Sequence, residues 1–157
     1  MARFRYSMQS ILDIKLKLET QAKQEFSAAR TALDEEEERL CGLVDRKREY
    51  ERKAKRLLEG TLNFRDIEEN KTAIRCMEHF IEIQRKAVRA AQQKLEQARA
   101  KLTEVMMERK THEALKEKAF EEFLMEEKKQ ESKEIDELTS YTYGQRRREE
   151  SKNSATA

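Results

Sequence analysis

The strongest constraint on this chain is a recurrence of apolar residues every three or four positions, carried along two long stretches that one glycine separates. Leu33, Leu40, Leu43, Tyr50, Ala54 and Leu57 precede Gly60, and Ile74, Met77, Ile81, Val88, Ala91, Leu95, Ala98, Leu102 and Val105 follow it. In the first arm, positions 22, 26, 29, 33, 36, 40, 43, 47, 50, 54 and 57 alternate steps of four and three, and only Glu36 and Lys47 among them are charged. Such a row is the seam of a coiled coil, because a 3.5-residue repeat keeps one helical face against a partner. With no Pro, three Gly and 42% charged residues in 157, the chain has the composition of long solvated helices and lacks the apolar content of a layered domain. The regular spacing also separates it from a disordered polar chain.

The break carries the chemistry of a tight reversal. Gly60 accepts the left-handed conformation that closes a helix, and Asn63 is placed to cap the next one, with Asp66, Glu68 and Glu69 at its positive end. The predicted fold is all-α: a long antiparallel two-helix coiled-coil hairpin within residues 1–140. Helix one spans about 7–59, the turn about 60–63 and helix two about 64–138, with a flexible basic tail over 141–157. A turn centred between 61 and 62 sets residue i opposite about residue 123 minus i. Leu43 then faces Phe80 and Ile81, Tyr50 faces Ala73 and Ile74, and Phe26 faces Gln97 and Ala98.

Two expectations follow at the terminal end. Met8, Ile11, Ile14 and Leu18 continue the apolar rhythm in a shifted frame, so the step from Leu18 to Ala22 reads as a stutter that relaxes the supercoil. Helix one also runs out opposite about residue 117, so helix two overhangs. The overhang carries Phe120, Phe123 and Leu124, which either stand clear or fold back on Phe4, Tyr6 and Met8.

Several function classes find no support. There is no GxxxxGK[ST] phosphate loop. His79 and His112 have no Cys or His at ligand spacing, and acidic runs such as Asp34 to Glu38 fan around a helix without converging, so no metal or cofactor is expected. Cys41 and Cys76 fall about six residues out of register, too far for a disulfide, and reduced thiols are the default. No apolar stretch is long enough to span a membrane, and Met1 to Ser10 lacks a signal-peptide core, which predicts a soluble intracellular protein. Charge is nearly balanced, 34 basic against 32 acidic. It is uneven locally: Arg46 to Arg56 holds seven positive and two negative groups, and Glu117 to Glu137 nine acids against four lysines. Glu49 and Glu51 interrupt the basic run, which favours an acidic protein partner over nucleic acid.

A more specific signal lies at the amino end. Phe4, Tyr6, Met8, Gln9, Leu12, Asp13, Ile14 and Lys15 in FRYSMQSILDIK, with Glu19 and Lys23 behind them, resemble the opening of the flagellar export protein FliJ. That family shows aromatic-x-aromatic-x-Leu-Gln and then a Leu-Asp-hydrophobic-basic run; Met8 and Lys15 stand where Leu and Arg are commoner. Length, the central turn, Asp45 to Tyr50 before it and a terminal KEIDEL stretch extend the resemblance. It implies a non-enzymatic, monomeric stalk or escort protein of the flagellar type III export apparatus, serving motility from the cytoplasm at the inner face of the membrane without inserting into it. The partners implied are the hexameric export ATPase, the export-gate membrane protein and export chaperones. The resemblance places gate contacts near the turn, at Leu43, Tyr50, Met77 and Phe80, and ATPase-ring contacts at the terminal end, at Phe4, Arg5, Phe120, Phe123 and Leu124. Leu43, Tyr50 and Met77 also read as seam packing. The competing reading is a generic coiled-coil scaffold or tether that dimerises.

Overall fold

The computed structural model describes residues 2–156; residues 1 and 157, which end the hairpin and tail ranges predicted above, lie outside it. The chain is an all-α hairpin of two long helices packed against each other, α1 over Gln9–Leu57 and α2 over Phe64–Ala155, with no strand among the described residues. The chain divides into two compact units: Lys15–Glu108, which holds the turn, and the residues up to Ile14 together with those from Arg109 onward.

In the turn-bearing unit, α1 tightens at its end through Leu58 N–H to Lys55 O and Glu59 N–H to Arg56 O, at 3.3 and 3.1 Å. Gly60 then takes φ 75°, where an L side chain is strained. Asn63 Oδ1 accepts from the Arg65 and Asp66 N–H groups at 3.1 and 3.5 Å, which caps α2 as its sequence predicts. Helix one closes two residues earlier than 59 and opens two later than 7, differences within the fraying of helix ends.

Cross-helix bonds in this unit fix an antiparallel register. Lys47 pairs with Glu78 at 3.6 Å, Lys101 with Glu25 at 3.2 Å and Lys15 with Glu108 at 2.6 Å, and the Arg99 guanidinium lies 6.0 Å from the Phe26 ring centroid. Each pair of residue numbers adds to between 123 and 126, which agrees with the register read from the turn. Asn70 Nδ2 donates to Tyr50 O at 2.9 Å and Gln84 Nε2 to Glu36 O at 2.9 Å. These polar contacts sit nearly a turn nearer the loop because helix carbonyls point toward the helix C-terminus, whereas side chains lean back toward the N-terminus.

The seam departs from the sequence reading at the start of α1. The inward positions there are Leu12, Lys15, Glu19 and Ala22, which continue the four-three spacing without a break. Leu12, at 4% exposure, is buried, while Met8, Ile11 and Leu18 are exposed and Ile14 is 55% exposed. No stutter forms. The frame is kept because two charged residues are accommodated in it: Lys15 reaches Glu108, and buried Glu19 holds Lys23 at 3.4 Å. Long aliphatic stems cover the seam while their charged ends find partners.

The second departure is at the end of α2, which continues in helix to Ala155 where the sequence reading stopped it near 138 and made 141–157 a flexible tail. No Pro interrupts this stretch, and contacts one turn apart support it. Thr139 and Thr142 hydroxyls donate to Ile135 O and Leu138 O at 2.8 Å, and Gln145 Nε2 donates to the Tyr141 hydroxyl at 2.8 Å. Every described residue after Glu127 is exposed, so α2 overhangs as expected.

Candidate functional site: an aromatic and cationic terminal cluster

The terminal unit is built on an alternation. Residues Arg3, Phe4, Arg5 and Tyr6 precede α1 without helical structure, and their exposure alternates. Phe4 and Tyr6 are half-buried, whereas Arg3 and Arg5 are exposed. The Phe4 ring meets Phe120 edge-on at 5.2 Å and Phe123 at 5.4 Å, and the Phe120 and Phe123 rings stack at 6.5 Å. The aromatic residues therefore fold back, and Phe4 extends the covered part of α2 past residue 117. Cover is partial: Phe123 is half-buried, while Phe120 and Leu124 stay exposed.

Beside this cluster, Arg3, Phe4, Arg5, Tyr6, Gln9 and Lys116 line an open concavity. Lys116 precedes Phe120 by one helical turn, so the helix that presents the aromatic rings also presents the lysine. Of the five residues predicted at this end, Phe4, Phe120 and Phe123 are joined by ring contacts, Arg5 stands next to them in the concavity, and Leu124 lies exposed on α2. Arg3 and Lys116 escaped the sequence reading, and Gln9 entered it only as part of the amino-terminal motif. The first was legible in the Arg-Phe-Arg-Tyr alternation; the others needed the fold that carries the amino segment to α2.

The four residues predicted near the turn divide. Leu43, Tyr50 and Met77 are half-buried on the seam, while Phe80 is 47% exposed with its ring 6.2 Å from His79, and Ile81 takes the buried slot beside it. The Lys47–Glu78 pair sets Leu43 and Phe80 at nearly the same level of the hairpin. Leu58, Leu62 and Phe64 at the turn, all exposed, were not singled out, since their place outside the heptads gives no periodic signal. Among the described residues there is no His, Cys, Asp and Glu grouping able to hold a metal ion and no helix long and apolar enough to cross a membrane. Cys41 and Cys76 are both exposed free thiols.

The flagellar FliJ protein family matches residues 4–148, nearly all of the chain and beginning at the Phe4 that anchors the aromatic cluster. The chain belongs to the FliJ family. Membership makes it a protein associated with flagellar type III export. Among solved structures, this FliJ-family chain is similar to a protein from Chlamydia trachomatis described as a YscO homologue, CT670. The TM-score is 0.70 at 24% identity, covering 93% of this chain and 99% of the other. That likeness speaks to the fold, and no curated protein matches the sequence. In this FliJ-family chain the terminal motif and the aromatic cluster are one feature, since Phe4 and Tyr6 of the motif are the residues turned inward.

Proposed function

We propose that the protein is a non-enzymatic stalk and escort of the flagellar export apparatus that binds the hexameric export ATPase, the cytoplasmic part of the export gate and substrate chaperones. The observation that carries this reading is the FliJ match over residues 4–148. Phe4, Arg5, Phe120, Phe123 and Leu124 are the proposed ring contacts, and their partial exposure beside cationic side chains suits a surface that binds by apolar contact and charge together. Phe80 is the leading gate contact, with Leu43, Tyr50 and Met77 shaping the seam beneath it. Coupling to ATP-driven changes in the ring would require different contacts with its successive states. In cells the protein works in the cytoplasm, held peripherally at the membrane through the gate.

The test is binding and stimulation of the organism's export ATPase by the purified chain, together with capture of the gate protein's cytoplasmic domain. Leu124→Asp should weaken ring binding at least tenfold and leave gate capture intact; Phe80→Ala should do the reverse. Loss of neither interaction in either variant overturns the residue assignments, and absence of both interactions in the unmodified chain overturns the function.

A second reading rests on the exposed row of Ile135, Leu138 and Thr142, which has heptad spacing on the uncovered part of α2. It makes the chain a scaffold that dimerises through α2. Sedimentation equilibrium separates the two: a monomer at tens of micromolar supports the stalk, and a stable dimer without affinity for the ATPase supports the scaffold.

A further inference from the structure

We propose that the concavity lined by Arg3, Arg5, Tyr6, Gln9 and Lys116 is a binding site for a phosphate group. Three side chains there are cationic and none is acidic. Among the described residues, no carboxylate is within ion-pair distance of Arg3, Arg5 or Lys116. The nearest acid one turn back on α2 is already engaged: Glu113 holds Arg109 at 2.7 Å. Asp13 likewise accepts from Gln9 Nε2 at 2.9 Å. The mutual repulsion of three neighbouring cations is relieved by an anion.

The chemistry of the lining selects phosphate over a single carboxylate. A phosphate monoester carries about −1.5 to −2 charge at neutral pH and three acceptor oxygens, whereas a carboxylate carries one charge and two oxygens. Arg3 and Arg5 both line the concavity, so two planar guanidinium forks are available to one anion there. Lys116 adds a point charge from α2. An open concavity of about 480 Å³ admits a phosphate together with the group that bears it.

A free phosphate or nucleotide and the headgroup of an anionic lipid share phosphoryl oxygens, a diester such as phosphatidylglycerol with less charge and fewer free oxygens than a monoester. The proposal does not depend on the export reading, because its readout is made on the isolated chain. Full-length ¹⁵N-labelled protein is titrated with inorganic phosphate at constant ionic strength. In a second arm it is sedimented with phosphatidylglycerol or phosphatidylcholine vesicles.

The expected result is saturable shifts of the Arg3 and Arg5 Nε–H signals and of the Gln9 and Lys116 amides, without saturation along the basic run from Arg46 to Arg56. Arg3→Gln with Arg5→Gln should raise the apparent dissociation constant at least tenfold. Lys116→Gln, which lies on the helix and leaves the amino segment intact, should raise it at least threefold. Saturation by phosphate assigns a free anion; sedimentation with phosphatidylglycerol alone, lost in the same variants, assigns a lipid headgroup. The proposal is overturned by the absence of both signals, by equal shifts along Arg46 to Arg56, or by binding that the Lys116→Gln and double-arginine variants leave unchanged.

Discussion

Asn70 shows how a single residue sets the geometry of a seam. At 4% exposure its amide donates to Tyr50 O, while its own Oδ1 is buried without a partner among the described residues. A buried polar group of this kind specifies register at a cost in stability. Asn70→Leu should therefore raise the stability of the hairpin by about 1 kcal/mol in thermal or urea unfolding. At the same time it should loosen the pairing that hydrogen exchange reports between Tyr50 and Ile74. A lower melting temperature would show that the amide contributes net stability. Gly60 is the opposite case. Its φ of 75° leaves room for a methyl group but not for an L residue's backbone preference. Gly60→Ala should cost about 1–2 kcal/mol by strain alone. Phe123→Asp should free the amino segment, losing two aromatic contacts of about 0.5–1.5 kcal/mol each, detectable as loss of the Phe4 to Phe120 nuclear Overhauser contacts with the helical circular dichroism nearly unchanged.

At the scale of the element, the phase of α1 is the feature most open to test. Apolarity alone selects Met8, Ile11, Ile14 and Leu18 as the inner row, yet the helix turns Leu12, Lys15, Glu19 and Ala22 inward. The apolar row was misleading because it ignores what partner side chains offer: Glu108 makes an inward Lys15 acceptable, and Lys23 does the same for Glu19. With Cys41 and Cys76 replaced by Ser, a Leu12→Cys thiol should react with a maleimide at least tenfold more slowly than an Ile14→Cys thiol. The reverse order would restore the stutter. The end of α2 teaches a related lesson. Residues 139–155 contain Ser, Thr, Asn and Gly144, which read as a tail, but without Pro and with one-turn side-chain contacts they remain helical.

For the whole molecule, two helices in one seam mean that stability resides where both are present. Isolated helix shorter than about 12–15 residues is marginal in water, and most helical stability in proteins comes from packing an apolar face. Amide protection in α2 should fall by at least tenfold beyond Glu127, after which every described residue is exposed. Removing residues 131–157 should shift the melting temperature by less than about 3 °C, a change of well under 1 kcal/mol. A larger loss would mean that this stretch packs on something, and a second copy would then be the first candidate to examine by sedimentation.

The amino-acid sequence by itself determined the helical class, the hairpin, the position of its turn and the register of its arms. Each depends on local rules: a four-three repeat, a glycine suited to positive φ and an Asn placed to cap, the last two seen at Gly60 and Asn63. It also carried the motif by which the family was seen. Tertiary structure alone decided which of two competing rows at the start of α1 turns inward, because an inward Lys15 is met by Glu108, 93 positions away. It alone brought Arg3, Arg5 and Lys116 to one concavity, since only the docking of Phe4 on Phe120 and Phe123 places the amino segment against α2. Periodicity reports how a helix faces a partner; it carries no record of what a segment outside the helices will touch.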